Sequence, residues 1–171
     1  MPIVGSEIEH RYSGGATNTD PNDSIGGVMS TVAGGVIVSD ALNNDMDDIT
    51  SAEATAGITI YHAYYYENTN ATLDYIDPHF WIDSQTSSPD TSVAVGMPPE
   101  GHNTAVETLP NEETAPASVV FSTPANYAAG LLIVTLVPDD YQGTWVKYIV
   151  TAGAGPFLDT YTLAIQGDSN P

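Results

Sequence analysis

From residue 58 onward, short segments rich in Val, Ile, Thr and Tyr alternate with clusters of Gly, Pro, Asn and Asp. Turn signals recur every ~8–12 residues without a 3.6-residue period of any length. The pattern predicts an all-β chain, an Ig-like or jelly-roll β-sandwich. Residues 58–66 read as a long strand that is apolar on both faces, and such a strand belongs in the middle of a sheet. After a polar turn at 68–72, residues 73–82 return as the second strand of a hairpin. Pro78 removes a ladder donor there, which places it at a sheet edge or a bulge. Residues 91–95, 118–122, 131–136, 144–150 and 160–165 supply further strands, and 96–113 form a long connection. In the last strand, Tyr161, Leu163 and Ile165 share one face. The only helical signal is Thr50-Ser-Ala-Glu53, a capping-box spacing that predicts a single turn.

The first fifty residues differ in kind. Ser13-Gly-Gly-Ala-Thr-Asn-Thr-Asp-Pro-Asn-Asp-Ser24 is polar and turn-forming, followed by the short apolar pieces Ile25-Gly-Gly-Val and Val36-Ile-Val38. Such a segment cannot bury a core of its own. It can pack as an edge strand and long loop, or extend as an arm that orders against a neighbour. The expected organisation is an N-terminal arm, residues 1–38, and one sandwich domain, residues 39–171.

Charge narrows the function classes. The chain has 22 Asp and Glu against 2 Lys and Arg, a net charge of −20. A nucleic-acid binder needs a basic stripe, and Arg11 and Lys147 cannot form one. An anionic membrane would repel the chain, and its longest apolar stretch, 128–137, is well short of the ~20 residues that span a bilayer. The opening Met-Pro-Ile-Val-Gly-Ser-Glu has neither a basic segment nor an apolar run, so no secretory signal is expected. Cysteine is absent, which excludes disulfide, zinc-thiolate and iron–sulfur scaffolds. Self-repulsion at −20 destabilises a compact state in dilute buffer, whereas a Debye length of ~3 Å at about 1 M salt screens it. A salt-loving source is therefore expected, the alternative being an acidic surface that takes up divalent cations.

Candidate chemistry is sparse. No nucleophile elbow, zincin motif, phosphate loop or dinucleotide fingerprint is present, and His10, His62, His79 and His102 lie far apart in the sequence. No enzyme and no obligatory cofactor are expected, and His62 reads as a satisfied structural histidine. Asp45, Asp47 and Asp48 form the densest oxygen cluster, a possible start for a calcium or magnesium site. The EF-hand pattern fails, and a solvated acidic turn is the competing reading. Aromatics are concentrated at Tyr61, Tyr64, Tyr65, Tyr66, Tyr75, Phe80 and Trp81. Because a strand alternates, one aromatic pair must leave the core unless another layer covers it. Tyr61, Tyr65, Trp81 and Trp145 are accordingly candidates for a subunit interface, with a glycan platform as the alternative.

Several segments together resemble a family of virion structural proteins of tailed viruses. They are Ser13-Gly-Gly-Ala-Thr-Asn-Thr-Asp-Pro-Asn-Asp-Ser-Ile-Gly-Gly27, Leu42-Asn-Asn-Asp-Met-Asp-Asp-Ile-Thr50, the stretch 61–73 with its Glu67-Asn-Thr-Asn-Ala-Thr72 turn, Asn111-Glu-Glu-Thr-Ala-Pro116, and Thr144-Trp-Val-Lys-Tyr-Ile-Val-Thr-Ala-Gly-Ala-Gly155. The family usually carries an arginine near the 61–66 strand and more basic residues beside Trp145. Lys147 stands alone here, as expected of an acidic version from a haloarchaeal tailed virus. The resemblance implies a capsid decoration or turret protein that binds the major capsid protein or other virion proteins. It would form a homotrimer or homopentamer, assemble in the host cytoplasm and be released in the virion by lysis. A tail, baseplate or fibre role on host glycans is the alternative.

Overall fold

The computed structural model describes residues 2–41, 43–46, 48–156 and 158–170. The strands are β1 (Ile8–Tyr12), β2 (Ile58–Asn68), β3 (Tyr75–Ser84), β4 (Thr91–Gly96), β5 (Phe121–Ser122), β6 (Leu131–Leu132), β7 (Tyr141–Val150) and β8 (Thr162–Ser169). All pair antiparallel, in a five-stranded sheet ordered β1-β2-β7-β4-β5 and a three-stranded sheet ordered β6-β3-β8. The two sheets close on a core of Tyr64, Tyr66, Val93, Val95 and Val146 from one and Phe80 and Ile82 from the other, with Ile133 and Leu136. This is the all-β sandwich that the alternation predicts.

The capping box forms as expected. The Thr50 hydroxyl accepts from the Glu53 amide at 3.3 Å, and the Glu53 carboxylate accepts from the Thr50 amide at 2.7 Å. The helix they start, α1 (Ser51–Ala56), ends at Gly57, whose φ of 79° closes the turn. Pro78 sits at a register shift between Ile76 and His79, so the bulge is the alternative realised in the middle strand of the small sheet. The strands expected at 118–122 and 131–136 are shorter than the apolar runs that suggested them, because the chain leaves the ladder after two residues in each case.

β2 and β3 do not form the expected hairpin. They lie in different sheets, and residues 69–74 cross between the layers. The crossing is pinned by the buried Asn68, whose amide donates to the Leu73 and Leu136 carbonyls at 2.9 and 2.8 Å. A second crossing is held by Asp159, which accepts from the Ser87 and Ser88 amides and the Thr91 hydroxyl. Burial works against its ionisation, but these donors hold the carboxyl below the usual aspartate range.

The outer face of the large sheet carries a second core. Ala63, Tyr65 and Trp145 point there and are buried beneath Met29, Val106 and Leu109. The covering layer is made of loops, one of them within the first 38 residues. The extended-arm expectation is therefore corrected in favour of the edge strand and long loop: β1 joins the sheet edge, Ile25 and Met29 fold back over the outer core, and Val36 bridges β1 while Ile37 packs on the inter-sheet core. What holds this polar segment is hydrogen bonding of small buried groups. Asn18 donates to the Ser13 carbonyl at 2.6 Å, the Ser30 hydroxyl to the Asn18 carbonyl at 2.6 Å, and the Gly26 amide to the Ser13 hydroxyl at 3.0 Å. Arg11 adds ion pairs to Glu9 and Glu67 and donates to the Ser30 carbonyl.

The two covering loops touch at Gly26, where φ is +96° and an added Cβ would stand 1.8 Å from the Glu107 carbonyl oxygen. Gly26→Ala is expected to cost about 2 kcal/mol or more, since backbone strain and a backbone clash coincide. Chemical denaturation checks this, and a midpoint equal to that of the unaltered chain would contradict the close approach.

Candidate functional site

Among the described residues, a dense set of titratable side chains gathers around Asn44 and Asp45. The Tyr12 hydroxyl, from β1, donates to the Asn44 carbonyl at 2.7 Å. The Tyr64 hydroxyl, from β2, donates to the Asp45 carbonyl, and Nδ1 of His62 lies 3.0 Å from that same oxygen. Tyr161, just ahead of β8, donates to Asp45 Oδ2. Three tyrosines, two on strands and one at the entry to β8, thus clamp one turn. His10 stacks on Tyr66 with ring centroids 4.6 Å apart and meets the edge of Tyr64 at 5.2 Å. Its Nε2 and the Oδ1 of Asp45 are buried without a hydrogen-bond partner.

Electrostatics make this cluster a set of donors. Burial, reinforced by the neighbouring Asp45 carboxylate, pushes the Tyr64, Tyr66 and Tyr161 phenols well above their ordinary range. A phenol held protonated can donate to a carbonyl or carboxylate but is a poor base and a poor nucleophile. Burial lowers the affinity of His10 for a proton, with Asp45 acting in the opposite sense. What this arrangement does is fix the Asn44-Asp45 turn against the sandwich.

The residues singled out in the sequence fall elsewhere. Asp45 turns its carboxylate inward to Tyr161, Asp48 is exposed, and Asp47 lies outside the described residues. The described pair therefore shares no cation site, and no group of three or more His, Asp or Glu side chains able to hold a metal occurs among the described residues. His62 is wholly buried and satisfied, with Nε2 3.3 Å from Glu112. Tyr65 and Trp145, expected as interface candidates, are wholly buried in the outer core and offer no surface. The Tyr65 hydroxyl instead joins the two covering loops, donating to the Gly27 carbonyl and accepting from the Val106 amide. Trp81 retains 8% exposure beneath Tyr127, its indole N–H donating to Asp83. Only Tyr61 stays partly open, packed on Phe121, over whose ring Lys147 sits.

Sequence reasoning missed His10, Tyr12 and Tyr161 as members of one cluster. The available signal was the His-x-Tyr alternation in residues 10–12, hidden in a segment that otherwise reads as polar turn. A groove of about 400 Å³ lies apart from the cluster, between β3, β4 and residues 123–125, and its lining carries no charged side chain. Searches against family models, curated proteins and solved structures return no match to this chain.

His10 makes the fold sensitive to acid. In the unfolded chain an imidazole takes its proton near 6.5, whereas the folded chain resists it. Proton uptake therefore favours unfolding, and stability is expected to fall as pH drops from 6.5 through the lower folded value. His10→Phe keeps the stack on Tyr66 and removes the unpaired nitrogen. Its stability at pH 7.5 is expected within about 1 kcal/mol of the unaltered chain, with a smaller loss at pH 5. Urea denaturation of both chains at the two pH values checks this; identical losses on acidification would contradict it.

Proposed function

We propose that this chain is a non-enzymatic structural protein of a tailed-virus particle, a decoration or turret protein on the capsid with the major capsid protein as its partner. The observation that carries the reading is the disposition of charge. Both permanent cations are engaged within the fold, Arg11 with Glu9 and Glu67 and Lys147 over the Phe121 ring, while 22 carboxylate residues serve a net charge of −20. An outward-facing anionic coat suits a protein that covers a shell in high salt and repels nucleic acid and membrane. The family resemblance of the sequence points the same way. A protein of this kind stabilises a shell by mass action, because it binds the assembled lattice and not the loose subunit.

The enzymatic reading loses support from the tyrosine cluster, where Tyr12 and Tyr64 are held as donors to main-chain carbonyls and Tyr161 as a donor to the Asp45 carboxylate. A glycan-binding tail role loses support from the burial of Tyr65 and Trp81, the aromatics that such a platform would use. The reading expects closed homo-oligomers under conditions that screen the charge.

Light scattering of the purified chain in about 2 M salt and again in dilute buffer tests it, since the screening length changes several-fold between them. A trimer or pentamer in high salt that dissociates in dilute buffer is the expected result. A monomer under both conditions would contradict it.

A further inference from the structure

The two sheets are finished differently on their outer sides. Loops cover the large sheet, whereas on the three-stranded sheet the 3-10 turn Tyr127–Ala129 packs over His79 and Trp81 and leaves Leu132 and Val134 exposed. Strand register shows what this face presents. His79 lies opposite Leu132 on one side and Gln166 on the other, and Trp81 lies opposite Ala164. Alternation puts Asp83 on the same face as His79 and Trp81, and Asp168 on the same face as Ala164 and Gln166. The centre is apolar and open: Leu132 is 59% exposed, Val134 48% and Tyr127 39%. Tyr127 packs against His79 with ring centroids 4.5 Å apart and planes tilted by 50°, and it meets Trp81 edge-on.

Carboxylates close both ends of this strip. Asp83 stands at one end of β3, while Asp77, at the bulge, and Asp168, opposite Ile76, stand at the other, and all three are exposed. Six residue steps along β3 separate Asp83 from Asp77, about 20 Å. Neither cation lies here, since Arg11 and Lys147 belong to β1 and β7 of the other sheet. A second copy docked face to face across a two-fold axis would bring like carboxylates together at both ends, which disfavours self-pairing through this face.

We infer that the outer face of the three-stranded sheet docks a protein surface bearing an apolar ridge flanked by lysines or arginines, with Leu132, Val134 and Tyr127 against the ridge and Asp77, Asp83 and Asp168 on the flanking cations. This rests on the virion reading, in which that surface belongs to the capsid shell. The homo-oligomer then forms through another surface, and the shell-facing side of each subunit is the small sheet.

The test is co-sedimentation of the full chain with shells assembled without it. The double variant Leu132→Asp, Val134→Asp alters exposed positions only, and its denaturation midpoint verifies that it folds. It is expected to bind roughly tenfold more weakly or worse, as for truncation of central interface contacts. Val120→Asp, at an 82% exposed site beside β5 of the other sheet, is expected to bind as the unaltered chain does. Asp83→Asn with Asp168→Asn should weaken binding several-fold in dilute salt and less in concentrated salt. Unimpaired binding by the double variant, or an equal loss in Val120→Asp, overturns the assignment of this face while leaving the virion reading intact. A dimer in solution that disappears in the double variant overturns the proposed occupant in favour of a second copy. Failure of the unaltered chain to bind shells overturns the virion reading and this inference with it.

Discussion

In β2 the side chains of Tyr64 and Tyr66 fill the space between the sheets while Ala63 and Tyr65, one residue out of phase, point to the opposite side. Neither face of the strand can therefore meet water. Its neighbour β7 shares the condition, with Val146 inside and Trp145 outside. Leaving Tyr65 and Trp145 exposed would forfeit roughly 2–3 kcal/mol for each large side chain, so a third layer is required. Two long loops provide it, and the Tyr65 hydroxyl joins them by bonding to Gly27 in one and Val106 in the other. The loop around Gly27 is led into place by β1, which Arg11 ties to β2 through Glu67. Breaking such a partly buried pair leaves carboxylates without compensation, which is costlier than the pair is favourable.

Much of this was legible in the residues. A run of β-branched and aromatic residues, apolar on both faces, marked the long central strand, Thr50 and Glu53 marked the helix start, and Pro78 marked an edge or a bulge, each because a local rule acts on a few adjacent positions. The aromatic run also implied that some rings needed a further layer. What filled that layer was not legible, because Ser13, Asn18, Ser24 and Ser30 are buried by virtue of bonds to one another and to the main chain, and composition reads them as solvated. Nor could alternation tell a hairpin from a crossing between sheets. The crossing is held by Asn68 at the end of β2, whose side-chain amide satisfies the Leu73 and Leu136 carbonyls beside the start of β3.

The same distinction between local pattern and distant contact explains the candidate residues. Asp45 belongs to an acidic run and reads as a cation ligand, yet its carboxylate is held by Tyr161, 116 positions away in the chain. Tyr65 and Trp145 read as surface aromatics because nothing near them in sequence could cover them. Conversely, Leu132 and Val134 belong to an apolar run that reads as strand, and alternation with the buried Ile133 leaves both open on the small sheet. The proposed function accordingly rests on surfaces, one strongly anionic and one apolar between carboxylates, whereas the interior polar groups hold the turn and loops that complete the fold.

The central claim is that residues 13–38 are a structural layer of the isolated molecule and not an arm awaiting a partner. Amide hydrogen exchange on the full chain in solution tests it most directly. The Gly14, Gly27, Ser30 and Thr31 amides donate to the carbonyls of Gly26, Val106, Tyr12 and Ala16, respectively. All four are expected to exchange slowly, with protection approaching that of the β2 amides. Exchange of these amides at the rate of an unstructured chain, while β2 stays protected, would contradict the account.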